Sequence, residues 1–206
     1  MKNNSDVKVM LKEAGILFAI TLLAGILLGF VYELTKEPIR VQQEKAVREA
    51  CKAVFANAQN FEAIEYTAST DLANQLADMG VKSGTVFEAT DDSGALLGYV
   101  IETISTEGYG GNIALYTGVA LDGTINDIAL MEISETAGLG MQAEKVLVPQ
   151  FHDKQVSVFT YTKTGSTSDS EIDAISGATI TTKAVTNAVN SGLLIFRDLT
   201  GGGSNE

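Results

Sequence analysis

Residues 173–182 read DAISGATITT, and a helix-like run, KAVTNAVNSGLLIF, follows at once. Ser176, Gly177, Ala178 and Thr179 carry so little bulk that an anionic group can approach their backbone closely. In the run that follows, Val185, Val189, Leu193 and Phe196 recur at spacings of four, four and three, which describes one packed helical face. A helix held by that face presents free N–H groups and the positive end of its dipole beside Thr179 and Thr181, a natural seat for a phosphate. The same residues also describe an ordinary helix begun by a Ser or Thr N-cap. Local physics leaves both readings open.

Two glycine-bearing stretches, EGYGGN at 107–112 and SETAGLG at 134–140, serve either close approach to a ligand or plain turns. Other chemistries find little support. His152 is the single histidine and reads as a surface loop residue, so no multi-histidine metal site is available. There is no G-x-S-x-G elbow, no phosphate-binding or dinucleotide-binding glycine signature and no CxxC pair. Asp91 and Asp92 read as turn residues, and the lone Cys51, in REACKAVF, as a buried helix position.

The elements that must position these residues follow from composition. From Ala14 to Tyr32, nineteen consecutive residues carry no charge. A helix of that length measures about 28 Å, the hydrocarbon thickness of a bilayer. It has no polar stripe and no cleavage site, and it passes straight into FVYELTKEPIR, which describes a permanent single-pass anchor. The net charge of −12 is uneven: everything after residue 52 holds six basic and twenty acidic groups, a net of −14. That excludes a nucleic-acid partner, which requires a basic footprint. Lysines flank the span on both sides, so charge does not orient it.

Beyond the anchor, Pro38 suits the first turn of a helix through IRVQQEKAVREACKAVFANA, and DLANQLADMG reads as a short amphipathic helix ending on Gly80. From Thr85 the period changes. TVFEAT, LLGYVIETIS, IALYTGVAL and TINDIALMEI read as strands, with turns at Asp92-Ser93-Gly94 and a two-residue hairpin signal at Asp122-Gly123. The result is an α+β arrangement: a small antiparallel sheet with helices before and after it.

The stretch from Asp173 to Thr179, D-A-I-S-G-A-T, resembles the flavin-attachment signature D-x-x-[ST]-G-A-T of the FMN-binding domain family. SETAGLG resembles that family's E-T-P-G-L-G loop, with Ala137 in place of Pro and Ser134 where a His is common. GYGG resembles the glycine-rich stretch upstream. With its anchor and length, the chain is similar to the RnfG family, found in the Rnf ion-translocating electron-transport complexes. That family is related to NqrC of the sodium-pumping NADH:quinone reductase, usually a longer chain.

The chain divides into an N-terminal tail (1–13), a transmembrane helix (14–34), a helical connecting region (35–80), a domain over 81–199 that the resemblance makes FMN-binding, and a disordered tail (200–206). The resemblance implies FMN in phosphoester linkage to Thr179, with Asp173, Ser176, Gly177, Ala178, Thr181 and Lys183 around the phosphate. Glu135, Thr136, Gly138 and Leu139 would lie along the isoalloxazine ring, and Tyr109, Gly110 and Gly111 would close another side. The expected partners are the other membrane subunits of the Rnf complex and, for maturation, a flavin transferase of the ApbE type. The implied function is electron transfer in a complex that couples ferredoxin:NAD electron transfer to Na+ or H+ translocation. The chain would be a carrier that is not catalytic alone, in the cytoplasmic membrane with its C-terminal domain extracytoplasmic. Two other functions stand against it: a membrane-tethered binding module without flavin, and a stand-alone extracytoplasmic flavin reductase.

Overall fold

The computed structural model describes residues 4–201, so residues 202–206 of the expected tail lie outside the described residues. The chain forms two compact units that divide after Val47.

The first unit is the bulk of α1, a helix of 51 residues from Asn4 to Val54. It already covers Asn4–Glu13, the stretch read above as a tail. Ile16, Leu17, Phe18, Leu23, Leu28 and Phe30 are all exposed, so these apolar side chains have no protein to pack against. This N-terminal helix is long and apolar enough to cross a membrane. Its polar groups are satisfied internally: the Thr21 and Thr35 hydroxyls donate to the carbonyls of Leu17 (3.0 Å) and Val31 (2.9 Å). Pro38, read above as a first-turn residue, does not begin a helix. Pro38 lies inside α1, although it cannot donate to the carbonyl four residues back. Arg40 bridges that turn, pairing with Glu37 behind it and with Glu44 ahead at 2.8 Å.

The second unit is the α+β domain. After the end of α1 come β1 (Asn60–Ile64), α2 (Thr70–Asp78), β2 (Val81–Thr90), β3 (Leu96–Ser105), β4 (Ile113–Ala120) and β5 (Ile125–Glu132). The five strands form one antiparallel sheet in sequence order. Strand β1 falls within the region expected to be helical. Its short, mostly exposed sequence carries no clear period, and its register comes from β2, with Asn60 opposite Thr90 and Ile64 opposite Val86. Helix α2 begins on the side chain of Ser69, which accepts from Leu72 N–H, and the chain leaves it through Gly80 at φ +67°.

After β5 the chain runs through α3 (Ala143–Val146) to β6 (Thr160–Thr162) and β7 (Glu171–Asp173), a short parallel pair, and ends in α4 (Thr179–Leu199). Three-residue strands are too short to announce themselves in sequence, and neither β6 nor β7 was expected.

Alternation along β3 and β4 sends successive side chains to opposite faces. Ile101 on β3 and Ile113, Leu115 and Val119 on β4 meet Val185, Val189, Leu193 and Phe196 of α4 in the main core, as the helical spacing implies. Gly192 brings α4 close to β4, since a Cβ there would lie 3.2 Å from Thr117 Oγ1. On the other face, Gly98 and Gly118 leave room for the last turn of α1. A Cβ on Gly118 would overlap the Val54 carbonyl, and Phe55 packs over Gly98. Cys51 is fully buried in this layer, and burial pushes its thiol up to about 11, which makes it inert as a nucleophile.

The turns are built as their residues require. Gly94 takes φ +82°, and the Asp91 carboxylate accepts from Ser93 Oγ (2.7 Å), Ser93 N–H (2.8 Å) and Ala95 N–H (2.9 Å). The β4–β5 connection covers four residues, 121–124, instead of the expected two, with Gly123 at φ +86°.

Two outcomes are expected. Gly118→Ala forces the Val54 carbonyl away and costs about 1–3 kcal/mol, as overpacking does, read as a lowered melting temperature of the detergent-solubilised chain. Hydrogen bonds from the Ser93 hydroxyl and the Ala95 backbone hold the Asp91 carboxyl below its ordinary 3.8. A depressed carboxyl contributes stability above its unfolded value and loses it as pH falls through the folded one. Amide exchange at Ala95 should therefore quicken, relative to the unfolded-chain rate at the same pH, only once pH drops below 3.8.

Candidate functional site

Three segments converge on one cavity of about 460 Å³, within the range of small-molecule sites. The first wall is the turn from β7 into α4. Buried Ile172 and Ile175 anchor it, Gly177 reverses the chain at φ +78°, and Ala178 N–H bonds to the Ile175 carbonyl at 3.0 Å. The N-cap of α4 is Ala178, which has no side chain able to cap, so the Ser/Thr N-cap reading does not hold. The N–H groups of Thr179, Ile180 and Thr181 have no partner among the described residues. They are the orphan donors of a helix end, next to its positive pole.

The hydroxyls of this turn are not equivalent. Thr182 Oγ1 accepts from Ile175 N–H (3.1 Å) and donates to the Ala178 carbonyl (3.0 Å), which locks the turn. Thr181 Oγ1 donates to Glu135 Oε2 at 2.9 Å and is buried. Thr179 lines the cavity half-buried, and its hydroxyl has no partner among the described residues.

The second wall is the loop after β5. The Thr136 carbonyl accepts from Leu139 N–H (3.1 Å) and Met141 N–H (3.2 Å), Gly138 sits at φ +77°, and its carbonyl accepts from Gln142 Nε2. Gly140 is the point of close approach: a Cβ there would lie 2.6 Å from Thr181 Oγ1 and 2.7 Å from Glu135 Cβ. The third wall is the loop after β3, where Gly110 N–H donates to Glu135 Oε1 at 3.2 Å. Any Cβ on Gly110 would overlap the Ser134 carbonyl. Tyr109 and Leu139, with Ile180 of α4, supply an apolar rim to the cavity.

Residues 108–194 match the FMN-binding domain family, and residues 1–54 match the RnfG N-terminal region. The chain is 31% identical over 196 residues to the G subunit of the Na(+)-translocating ferredoxin:NAD(+) oxidoreductase complex of Acetobacterium woodii, covering 94% of this chain and 95% of that relative. It is 30% identical over 199 residues to the G subunit of the proton-translocating ferredoxin:NAD(+) oxidoreductase complex of Clostridium ljungdahlii, covering 93% of this chain and 97% of that relative. The chain belongs to the RnfG family. Among solved structures, Shewanella oneidensis NqrC superposes with a TM-score of 0.48 at 24% identity, over 72% of this chain and 74% of that one. Family membership rests on the sequence matches.

The cofactor of an RnfG-family domain is FMN. The cavity suits it: unpaired backbone donors for a phosphate, a free hydroxyl beside them, and apolar side chains for a ring. Of the residues named from sequence, Tyr109, Glu135, Thr136, Leu139, Gly177, Ala178, Thr179 and Thr181 all line the cavity. Others do different work. Asp173, at the end of β7, accepts from Ser166 N–H and Oγ and donates its own N–H to Gln150 Oε1 at 2.7 Å, so it braces the turn from behind. Lys183 is drawn away to Glu107 at 2.9 Å, a hydrogen-bonded pairing that raises its pKa, and it does not line the cavity. Ser176 is exposed outside the wall, while Gly110, Gly111 and Gly138 shape loops without lining it. Sequence reasoning passed over Ile180, Gly140 and Thr182. An exposed isoleucine in a first helical turn was the one available signal, since the roles of Gly140 and Thr182 exist only through contacts.

Because Lys183 is held by Glu107, Lys183→Met should leave flavin attachment complete. A variant purified without covalent flavin would show that the lysine reaches the phosphate.

Proposed function

We infer that this chain carries FMN in phosphoester linkage to Thr179 and passes electrons within a membrane complex that couples ferredoxin:NAD electron transfer to translocation of Na+ or H+. The observation that supports this most strongly is the Thr179 hydroxyl, unpaired among the described residues beside three unpaired backbone donors, while its neighbours Thr181 and Thr182 are engaged. Attachment forms a bond from Thr179 Oγ1 to the flavin phosphorus. With FAD as donor and an ApbE-type transferase as catalyst, the hydroxyl proton is lost and AMP leaves. Bound FMN supplies the electron chemistry, and the protein supplies binding, orientation and electrostatics.

The chain's own residues fit a carrier. The Thr179, Ile180 and Thr181 amides receive the phosphate without a basic side chain, and Leu139, Ile180 and Tyr109 offer apolar surface to the ring. Among the described residues the charged group on the cavity wall is the Glu135 carboxylate, which accepts from Gly110 N–H and Thr181 Oγ1. The chain's partners are the other membrane subunits of the complex, gathered around the single span of α1. A covalent link retains the cofactor where free flavin is scarce, which favours an extracytoplasmic domain. The two relatives named above are, by name, one sodium-translocating and one proton-translocating, and both ions fit this reading.

Thr179→Val, co-expressed with an active flavin transferase, should fold and lose all denaturation-resistant flavin. The check is in-gel fluorescence together with intact mass, in which the unmutated chain gains one FMN. Full flavin on the variant would move the attachment elsewhere, and an unmodified natural chain would remove the flavin reading.

A further inference from the structure

Among the described residues Glu135 is the one charged side chain on the cavity wall, and it joins all three segments. Its Oε1 accepts from Gly110 N–H at 3.2 Å, which ties down the loop that carries Tyr109. Its Oε2 accepts from Thr181 Oγ1 at 2.9 Å, which ties it to the first turn of α4. Gly140 packs against it so closely that a Cβ there would lie 2.8 Å from Oε2. The carboxylate is thus half-buried and held at both oxygens.

No basic side chain among the described residues lines the cavity to offset this charge. Lys183, a site candidate in the sequence, pairs with Glu107. The positive end of α4 lies on the same wall, but its unpaired N–H groups are what an anionic phosphate would consume. What remains facing the rest of the cavity is a fixed negative charge between protein walls, where it is screened less than on an open surface.

We propose that Glu135 is the potential-setting residue of this site: its carboxylate holds the cavity walls together and, by its charge, disfavours electron uptake by the group bound there. The inference rests on the flavin reading above. A purely structural latch would hold the loops equally well without influencing the potential. The charge distinguishes the two, because Glu135→Gln keeps the shape and removes the charge: its amide oxygen can still accept from Gly110 N–H, while its NH2 would donate to Thr181 Oγ1, whose hydroxyl turns to accept.

The experiment uses the full-length chain in detergent, co-expressed with a flavin transferase. Attached flavin is read by intact mass, and the flavin midpoint potential by spectroelectrochemical titration at pH 8. Glu135→Gln should carry flavin with its potential shifted upward, and Glu135→Asp should stay nearer the natural value. A loaded Glu135→Gln variant with an unchanged or lowered potential overturns the inference and leaves the flavin reading standing. A natural chain without flavin on Thr179 overturns both. Should Glu135→Gln fail to load, Thr181→Val decides: it keeps the carboxylate but removes a donor that neutralises it, so the potential should shift downward. An unchanged or raised potential in that variant overturns the inference.

Discussion

Helix α4 buries Ala184, Val185, Ala188, Val189, Leu193 and Phe196 against the sheet, and this packing determines where its first turn stands. Each of the larger side chains contributes on the order of 1–3 kcal/mol on burial, so the helix cannot slide or tilt without losing several contacts at once. Gly192 lets it approach Thr117 of β4 more closely than a larger residue would allow. With the body of the helix held, its N-terminus can remain uncapped. Ala178 is a poor cap, yet the turn survives because Thr182 closes it from inside with two hydrogen bonds. A weak local structure, held by strong tertiary packing, leaves backbone donors available for a ligand.

The charged residues around the cavity form a second layer of support. Glu107 takes Lys183, Glu135 takes Gly110 and Thr181, and Asp173 takes Ser166. The exposed ion pair contributes little to stability. Its effect is positional: it holds the loop before Tyr109 to the second turn of α4 and keeps an amine out of the cavity. In an electron carrier the redox chemistry belongs to the cofactor, and the protein supplies its position and electrostatics. The apolar, unburied length of α1 suits the same role, because a domain that passes electrons to membrane partners needs to stay at the membrane.

The central strands, α2 and the buried face of α4 were legible because their signals are periodic and local. Strands β1, β6 and β7 were not. β1 draws its register from β2, and the other two are three-residue segments paired with each other. The passage of α1 through Pro38 was also hidden, since proline normally marks the start or end of a helix.

The amino-acid sequence by itself determined the membrane-length helix, the attachment-like signature ending at Thr179 and the three small-residue stretches that shape the cavity. All of these are short-range patterns of residue type, readable without a partner. Only the tertiary structure decided which hydroxyl is free, that Lys183 faces Glu107, that Asp173 braces from behind, and that Glu135 joins the walls. Those outcomes depend on hydrogen bonds between residues 25, 46 and 76 positions apart. A hydroxyl or an amine has no role until its partner is known, and partners at that separation are brought together only by the packing of α4 on the sheet.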